Sequence, residues 1–293
     1  MREDAVRAPG GQIARRSWSS ELRALAAVAW KEWILFRRYP SWIMAILIWP
    51  ILFPFVYIFT ARALSGPYGS TLPTFARAAG TSDYVSFIVV GTVLWMWLNM
   101  TLWDMGYFLR NEQMHGTLES NWLCPVWRIS IMLGASLTKL ATSLLFLGLT
   151  VLEFGLLLGV HLVRGNIPLL ILIFLLMLPI IYGIGLVFGS LVIRFKEANA
   201  MVFLVRGIFM VFCGITYPLA VLPPWMQQVA YVLPLTYAIR DIRAAALADA
   251  GIAAMAQDLA RLATFAVLLP TIGVIAFSLM ERRARRTGTL GQY

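Results

Sequence analysis

The feature that most constrains this chain is the length of its apolar runs. Val85–Trp103, VSFIVVGTVLWMWLNMTLW, is nineteen residues without a charge. A helix needs roughly 20 such residues to cross the hydrocarbon core of a bilayer. Comparable runs recur over 42–60, 131–160, 167–193, 198–217 and 262–280. Hydrocarbon offers a backbone no hydrogen bond, so runs of this length have to be helical. The expected fold is therefore an all-α membrane protein with six transmembrane helices. Composition agrees: 60% of the 293 residues are hydrophobic and 13% charged, against about 25% charged in a soluble domain. Pro50 and Pro54 fall inside the first run, which a membrane helix tolerates where neighbours satisfy the freed carbonyls. The third and fourth runs exceed the bilayer core, so they tilt or project.

Six spans put both ends on one side, and the basic residues choose it. The N-terminal segment, the second and fourth loops and the C-terminus together hold sixteen Arg and Lys residues; the opposite loops hold Arg62, Arg77, Arg164, Arg240, Arg243 and Arg261. The richer side is expected to be cytoplasmic. The net charge of +10 is accounted for in this way, without nucleic acid. The expectation is a multi-pass protein of a plasma or inner membrane with both termini cytoplasmic. No short apolar segment with a small-residue cleavage site opens the sequence, so the N-terminus is expected to be retained.

The chain divides into a flexible basic tail over 1–20, an amphipathic helix over 21–38, a six-span domain over 39–285 and a cytoplasmic tail over 286–293. In the amphipathic segment Leu22, Leu25, Ala29, Trp33 and Phe36 recur at steps of three and four, placing them on one face. Such a helix lies in the membrane interface with its apolar face in lipid; the alternative is packing on the protein's own spans. Between the fifth and sixth runs, Tyr217–Leu247 is too apolar for a loop and too broken by Pro218, Pro223, Pro224 and Pro234 for a span. Pro224 and Pro234 suit the first turns of two short helices. Trp225, Tyr231 and Tyr237 favour the membrane interface. Two short external re-entrant helices are expected there, followed by a polar connector over 248–260.

Catalytic and metal motifs are missing. The sequence has no GxxxxGK[ST], HExxH or GxSxG, so no P-loop nucleotide site is expected on this chain. Cys124 and Cys213 lack metal-site spacing, and His115 and His161 are isolated. No catalytic residue, metal or cofactor is assigned. Lys139, Glu153 and Arg206 are ionisable groups inside spans, where such groups face protein or water. Lys139 can snorkel to the interface. Glu153 and Arg206 are within possible reach of one another, either as a structural ion pair or as a polar point on a substrate path.

Between the second and third runs lies RNEQMHGTLESNWLCPV, Arg110–Val126, a charged cytoplasmic stretch able to form a short helix. Here Glu112, Gly116-Thr117-Leu118-Glu119 and Pro125-Val126 resemble the charged loop of the ABC type-2 permease family. Pro223-Pro224-Trp225, Pro234-Leu235-Thr236-Tyr237 and Asp241-Ile242-Arg243 resemble that family's external region, and the amphipathic helix before the first span fits as well. The order and spacing of these stretches carry the resemblance, over about residues 20–285.

The resemblance implies a permease subunit of an exporter for drugs, lipids or polysaccharides. It implies a homodimer joined to two copies of a separate P-loop ATPase, which carries the ATP and Mg. The stretch 110–126 then holds a coupling helix that docks on the ATPase. Arg110, Glu112, Gly116, Thr117, Leu118, Glu119 and Trp122 are its candidate coupling residues, with Glu112 and Glu119 placed for charge-assisted contacts and Leu118 and Trp122 four residues apart on one face. Pro223, Pro224, Trp225, Tyr231 and Tyr237 are candidates for an external gate. Two other classes remain as alternatives: an ATP-independent transporter or channel, and a membrane-embedded lipid-modifying enzyme.

Overall fold

The computed structural model describes residues 18–65, 72–114, 124, 126–159, 166–195, 198–247 and 250–286. Among them there are ten α-helices and no strand. In chain order they are α1 (Trp18–Arg38), α2 (Pro40–Leu64), α3 (Leu72–Ala79), α4 (Tyr84–Met114), α5 (Arg128–Leu158), α6 (Ile167–Phe195), α7 (Ala198–Phe212), α8 (Pro224–Ala230), α9 (Pro234–Leu247) and α10 (Ile252–Arg286). The expected all-helical fold is therefore present. His115, Gly116, Thr117, Leu118, Glu119, Trp122, Pro125 and His161 lie outside the described residues, as do 1–17 of the N-terminal tail and 287–293 of the C-terminal one.

Five helices are long and apolar enough to cross a bilayer: α2, α4, α5, α6 and α10. The run expected as a fifth span is helical only over the fifteen residues of α7. At roughly 1.5 Å per residue that is about 22 Å, short of a hydrocarbon core of about 30 Å. The chain leaves the helix at Cys213 and turns through Gly214, which has φ 64°. The last span starts earlier than its apolar run. The segment 250–260, expected as part of a connector, supplies the first turns of α10. Met255 and Leu259 there are buried four residues apart, and Asp258 pairs with Arg240 of α9.

Local chemistry explains the boundaries. Asp83 caps α4, its Oδ1 accepting from the Ser86 backbone N–H at 3.0 Å. Asn166 does the same for α6 through Leu169 at 3.2 Å. An N-cap side chain satisfies a backbone donor that no turn precedes. Gly159, with φ 63°, closes α5. Pro40, Pro224 and Pro234 each open a helix, where the missing N–H costs nothing.

The centre of the bundle is α4. Its span is 89% buried, against 17–33% for the other four. Phe53 of α2 stacks on Trp95 at 4.8 Å, Phe174 of α6 stacks on Trp97 at 4.9 Å, and Phe203 of α7 meets Trp103 edge-on at 5.7 Å. Thus α2, α6 and α7 are all held against α4 by rings.

The face of α1 expected in lipid instead packs on protein. Leu25, Ala29, Trp33 and Phe36 are half-buried, and α1 runs along α5. A Cβ on Gly134 of α5 would stand 2.6 Å from the Leu25 carbonyl oxygen. A side chain there would push the two backbones apart. Leu22 departs from the expected face: with Trp18, Trp30 and Ile34 it stays exposed.

Helices α6 and α10 approach as closely. A Cβ on Gly183 would lie 2.6 Å from the Leu269 carbonyl carbon, and one on Gly273 2.9 Å from the Gly183 carbonyl oxygen. Small residues let membrane helices touch through their backbones. Gly183→Val is expected to destabilise the protein by about 1–3 kcal/mol through overpacking. The measurement is the thermal midpoint and monodisperse yield in detergent. Gly148→Val is the control, since nothing lies within 4 Å of the added Cβ, and should leave both unchanged.

Candidate functional site

The C-terminal end of α4 and the start of α5 carry the described ends of the 110–126 stretch. Helix α4 continues past its apolar span, which ends at Phe108, to Met114. Arg110 lies in this extension. Glu112 is buried there and pairs with Lys31 of α1, which also meets Glu32 at 3.4 Å. On the far side of the stretch, Trp127 precedes α5 and has no side-chain cap of its own. Glu21 of α1 supplies one from a distance. Its carboxylate accepts from the Trp127 N–H at 3.0 and 3.1 Å and from the Ser130 hydroxyl at 2.7 Å. A carboxylate also suits the positive end of the α5 dipole. Trp18 packs edge-on against Trp127 at 5.6 Å, and Thr138 donates to the Ala29 carbonyl at 2.8 Å.

One helix therefore holds both sides of the stretch. Glu112, read from the sequence as a contact for a partner, makes its ion pair inside the chain. Glu21 and Lys31 were not singled out by sequence reasoning. The available signal was an acidic residue in the first turn of α1 and a cation ten positions later, both off the face with the recurring leucines and aromatics.

Inside the bundle the structure rearranges the expected polar set. Glu153 and Arg206 do not meet: among the described residues no ion pair links them. The Arg206 guanidinium lies 4.6 Å from the Phe203 ring and 5.6 Å from the Trp95 ring, and reaches Asn99 Oδ1 at 3.5 Å. Glu153 Oε2 is covered and has no hydrogen-bond partner among the described residues. The reason is topological. Glu153 is on α5, which packs on α1, α2 and α4, whereas α7 packs on α4, α6 and α8. Lys139 does pair, but with Asp104 of α4 at 3.1 Å, a partner not singled out in the sequence.

On the other side of the bundle, the broken segment forms α8 and α9 as two short helices. Pro223, Pro224 and Trp225 are exposed at the start of α8, with Trp225 edge-on to Phe212 at 6.1 Å. Tyr231 is exposed, while Tyr237 is buried and donates to the Tyr231 carbonyl at 2.6 Å. Thr236 donates to the Ala230 carbonyl at 2.7 Å. The side chains of α9 thus satisfy the C-terminal carbonyls of α8.

Arg243 of α9 gathers the non-helical backbone. It donates to the carbonyls of Phe87 at 2.8 Å, Gly214 at 2.8 Å and Ile215 at 2.6 Å, and lies 3.3 Å from the Phe87 ring centroid. Beside it, Asp258 of α10 pairs with Arg240 and with Arg261 at 3.2 Å. The Tyr237 ring lies 5.5 and 5.3 Å from those two guanidinium groups. Asp241 is 1% exposed, and its Oδ2 has no donor among the described residues. Burial and the Asp258 charge push its carboxyl up to about 7, against the pull of Arg240. Carrying a proton, it can donate to Asp258.

No group of three or more His, Cys, Asp or Glu arranged for a metal occurs among the described residues. A family model described as ABC-2 type transporter matches residues 23–247. None of the curated proteins matches the chain. The chain belongs to the ABC-2 type transporter family. It is a multi-pass membrane permease component, a transport subunit without a catalytic domain.

The buried carboxyl pair gives a pH test. An unfolded Asp titrates near 3.9, so between about pH 4 and 7 the folded chain holds more protons at Asp241 than the unfolded chain does. Stability from this group is then greatest at the acid end, falls as pH rises through that window and levels off above it. Asp241→Asn keeps the donor at all pH. The thermal midpoint of the variant is expected to match that of the parent near the acid end and to exceed it at pH 8. A constant difference across the range would exclude titration of Asp241.

Proposed function

We propose that this ABC-2 family member is the permease half of an exporter, driven by a separate ABC ATPase that docks on residues 110–126. The observation that carries the reading is the bracket formed by α1. Lys31 holds Glu112 on one side of the stretch, and Glu21 holds Trp127 and Ser130 on the other. A force applied to the stretch is then shared at once by α1, α4 and α5. ATP and Mg belong to the partner, and this chain binds no cofactor. Gly116, Thr117, Leu118, Glu119 and Trp122 form the docking element, with Arg110 and Glu112 at its base.

The permease works as a homodimer with two ATPases. Supporting this, α2 and α7 adjoin one another through Tyr57 and Met210, 3.9 Å apart, and turn Trp49, Leu52, Val56, Phe203 and Leu204 outward. A second copy covers that apolar surface, and the path lies between the copies. The cargo is hydrophobic or amphipathic, because apolar and aromatic walls with few fixed charges suit it. Helix α7 completes a sixth crossing together with the backbone that Arg243 gathers, and both termini are cytoplasmic. The segment Pro223–Tyr237 closes the outer end, with Pro223, Pro224, Trp225 and Tyr231 at the surface and Tyr237 as its buried hinge pin.

Two measurements test this reading. In the full chain co-expressed with its ATPase, Gly116→Val and Leu118→Asp should leave membrane expression near normal and abolish ATPase co-purification or transport. Lys31→Glu and Glu112→Lys should each impair coupling, and the exchanged pair should recover part of it. The parent complex should contain two copies of this chain by mass. Unchanged pairing in all variants, or a single copy, would overturn the reading. For orientation, single cysteines at Ser70 and Gly251, in a background lacking Cys124 and Cys213, should react with an impermeant thiol reagent in intact cells. One at Gly288 should not.

A further inference from the structure

On the α1 side of the bundle an apolar cavity of about 420 Å³ lies between α1, α4, α5, α6 and α10. Leu25, Met105, Leu140, Tyr182, Leu186 and Phe277 form its walls. Its depth follows from the spans. Met105 and Phe277 lie three residues from the ends of theirs, at Phe108 and Met280, and Leu140 is six residues into the span that starts at Gly134. The cavity therefore sits within the half of the bilayer next to α1. It also divides the interior: Met105 and Phe277, with Phe108, Tyr182 and Leu186 packed on them, form a small cluster separate from the main core.

We propose that this cavity holds one acyl chain of a membrane phospholipid, entering sideways from the leaflet. The mouth identifies the occupant. Leu137 of α5 and Val274 of α10 line the cavity and are also 47% and 36% exposed, so the cavity is continuous with the surface that these spans present to lipid. What stands against that surface in a bilayer is hydrocarbon. Water is a poor occupant, since apolar cavities stay dry. The size fits: cavities of about 150 Å³ already take up benzene, and ligand pockets start near 300 Å³. Moving a chain from bilayer to cavity gains little hydrophobic energy, because both are apolar. The gain is dispersion, as cavity walls without neighbours forfeit their contacts. The site consequently selects for a chain and not for a headgroup. A lipid held there rests against Leu25 of α1 and Met105 of α4, the two helices joined by the Lys31–Glu112 pair.

The test uses the full chain in vesicles of palmitoyl-oleoyl phosphatidylcholine containing a small fraction of phosphatidylcholine with a diazirine midway along one acyl chain. After irradiation, adducts are located by peptide mass spectrometry. Met105, although buried, and the half-buried Tyr182 should carry adducts at yields comparable to those on the lipid-exposed Leu145 and Leu156. Filling the cavity by Ser136→Phe, or blocking its mouth by Leu137→Trp, should reduce the Met105 and Tyr182 adducts several-fold and spare those on Leu145 and Leu156. Replacing choline by glycerol in the headgroup of the probe should leave the pattern unchanged. Absence of adducts on Met105 and Tyr182 in the parent chain would overturn the proposal even if both variants failed to fold. So would adducts that persist in a folded variant.

Discussion

Hydrocarbon offers no hydrogen bond to a peptide group, and the whole structure answers to that fact. Where the sequence is continuously apolar, the answer is a helix that satisfies itself. Where it is broken, side chains do the work. Between α7 and α8 the backbone leaves helical form, and Arg243 draws the carbonyls of Gly214 and Ile215 together with that of Phe87. Thr236 and Tyr237 take the final carbonyls of α8 in the same way. The broken segment is thus a helix end, a turn and two short helices tied to the central α4 by one guanidinium, whose five donors in a fixed fork suit several acceptors at once.

The same scarcity of partners explains the role of α1. Helix α5 begins without a cap from its neighbours in sequence, and a carboxylate more than a hundred positions away fills the gap. Glu112 likewise takes its cation from α1. Each contact costs desolvation and is offset by partners on the spot. Breaking one would leave a buried group uncompensated, which is more damaging than the worth of the pair itself. The bracket therefore ties α1, α4 and α5 together, as the proposed coupling to an ATPase would require.

Within the spans, charge pairing followed packing and not sequence proximity or depth. Lys139 found Asp104 because α5 and α4 pack together. Arg206 settled against Phe203 and Trp95, aromatic faces that attract a cation, because α4 lies between its helix and that of Glu153. Position along their runs places Glu153 and Arg206 within reach of one another but carries no information on which sides of the bundle their helices occupy.

By itself the sequence determined that the chain is helical and membrane-embedded, where four of its long spans lie to within a few residues, and which prolines open helices. These are local matters, decided by run length, by the missing proline N–H and by the absence of water in hydrocarbon. Of the recurring Leu22, Leu25, Ala29, Trp33 and Phe36, the last four lie on the packed face of α1 and Leu22 does not; periodicity is a property of the helix alone. What covers that face was a tertiary decision. Helix α5 offered Gly134 and an uncapped N-terminus, and α1 packed there while Trp18, Leu22 and Trp30 were left outward. The partners of Glu112, Lys139, Arg206, Asp241 and Arg243 were decided at the same level. An ionisable group within a membrane protein must find its partner on whichever helix packs against its own, and a one-dimensional pattern does not encode which helix that is.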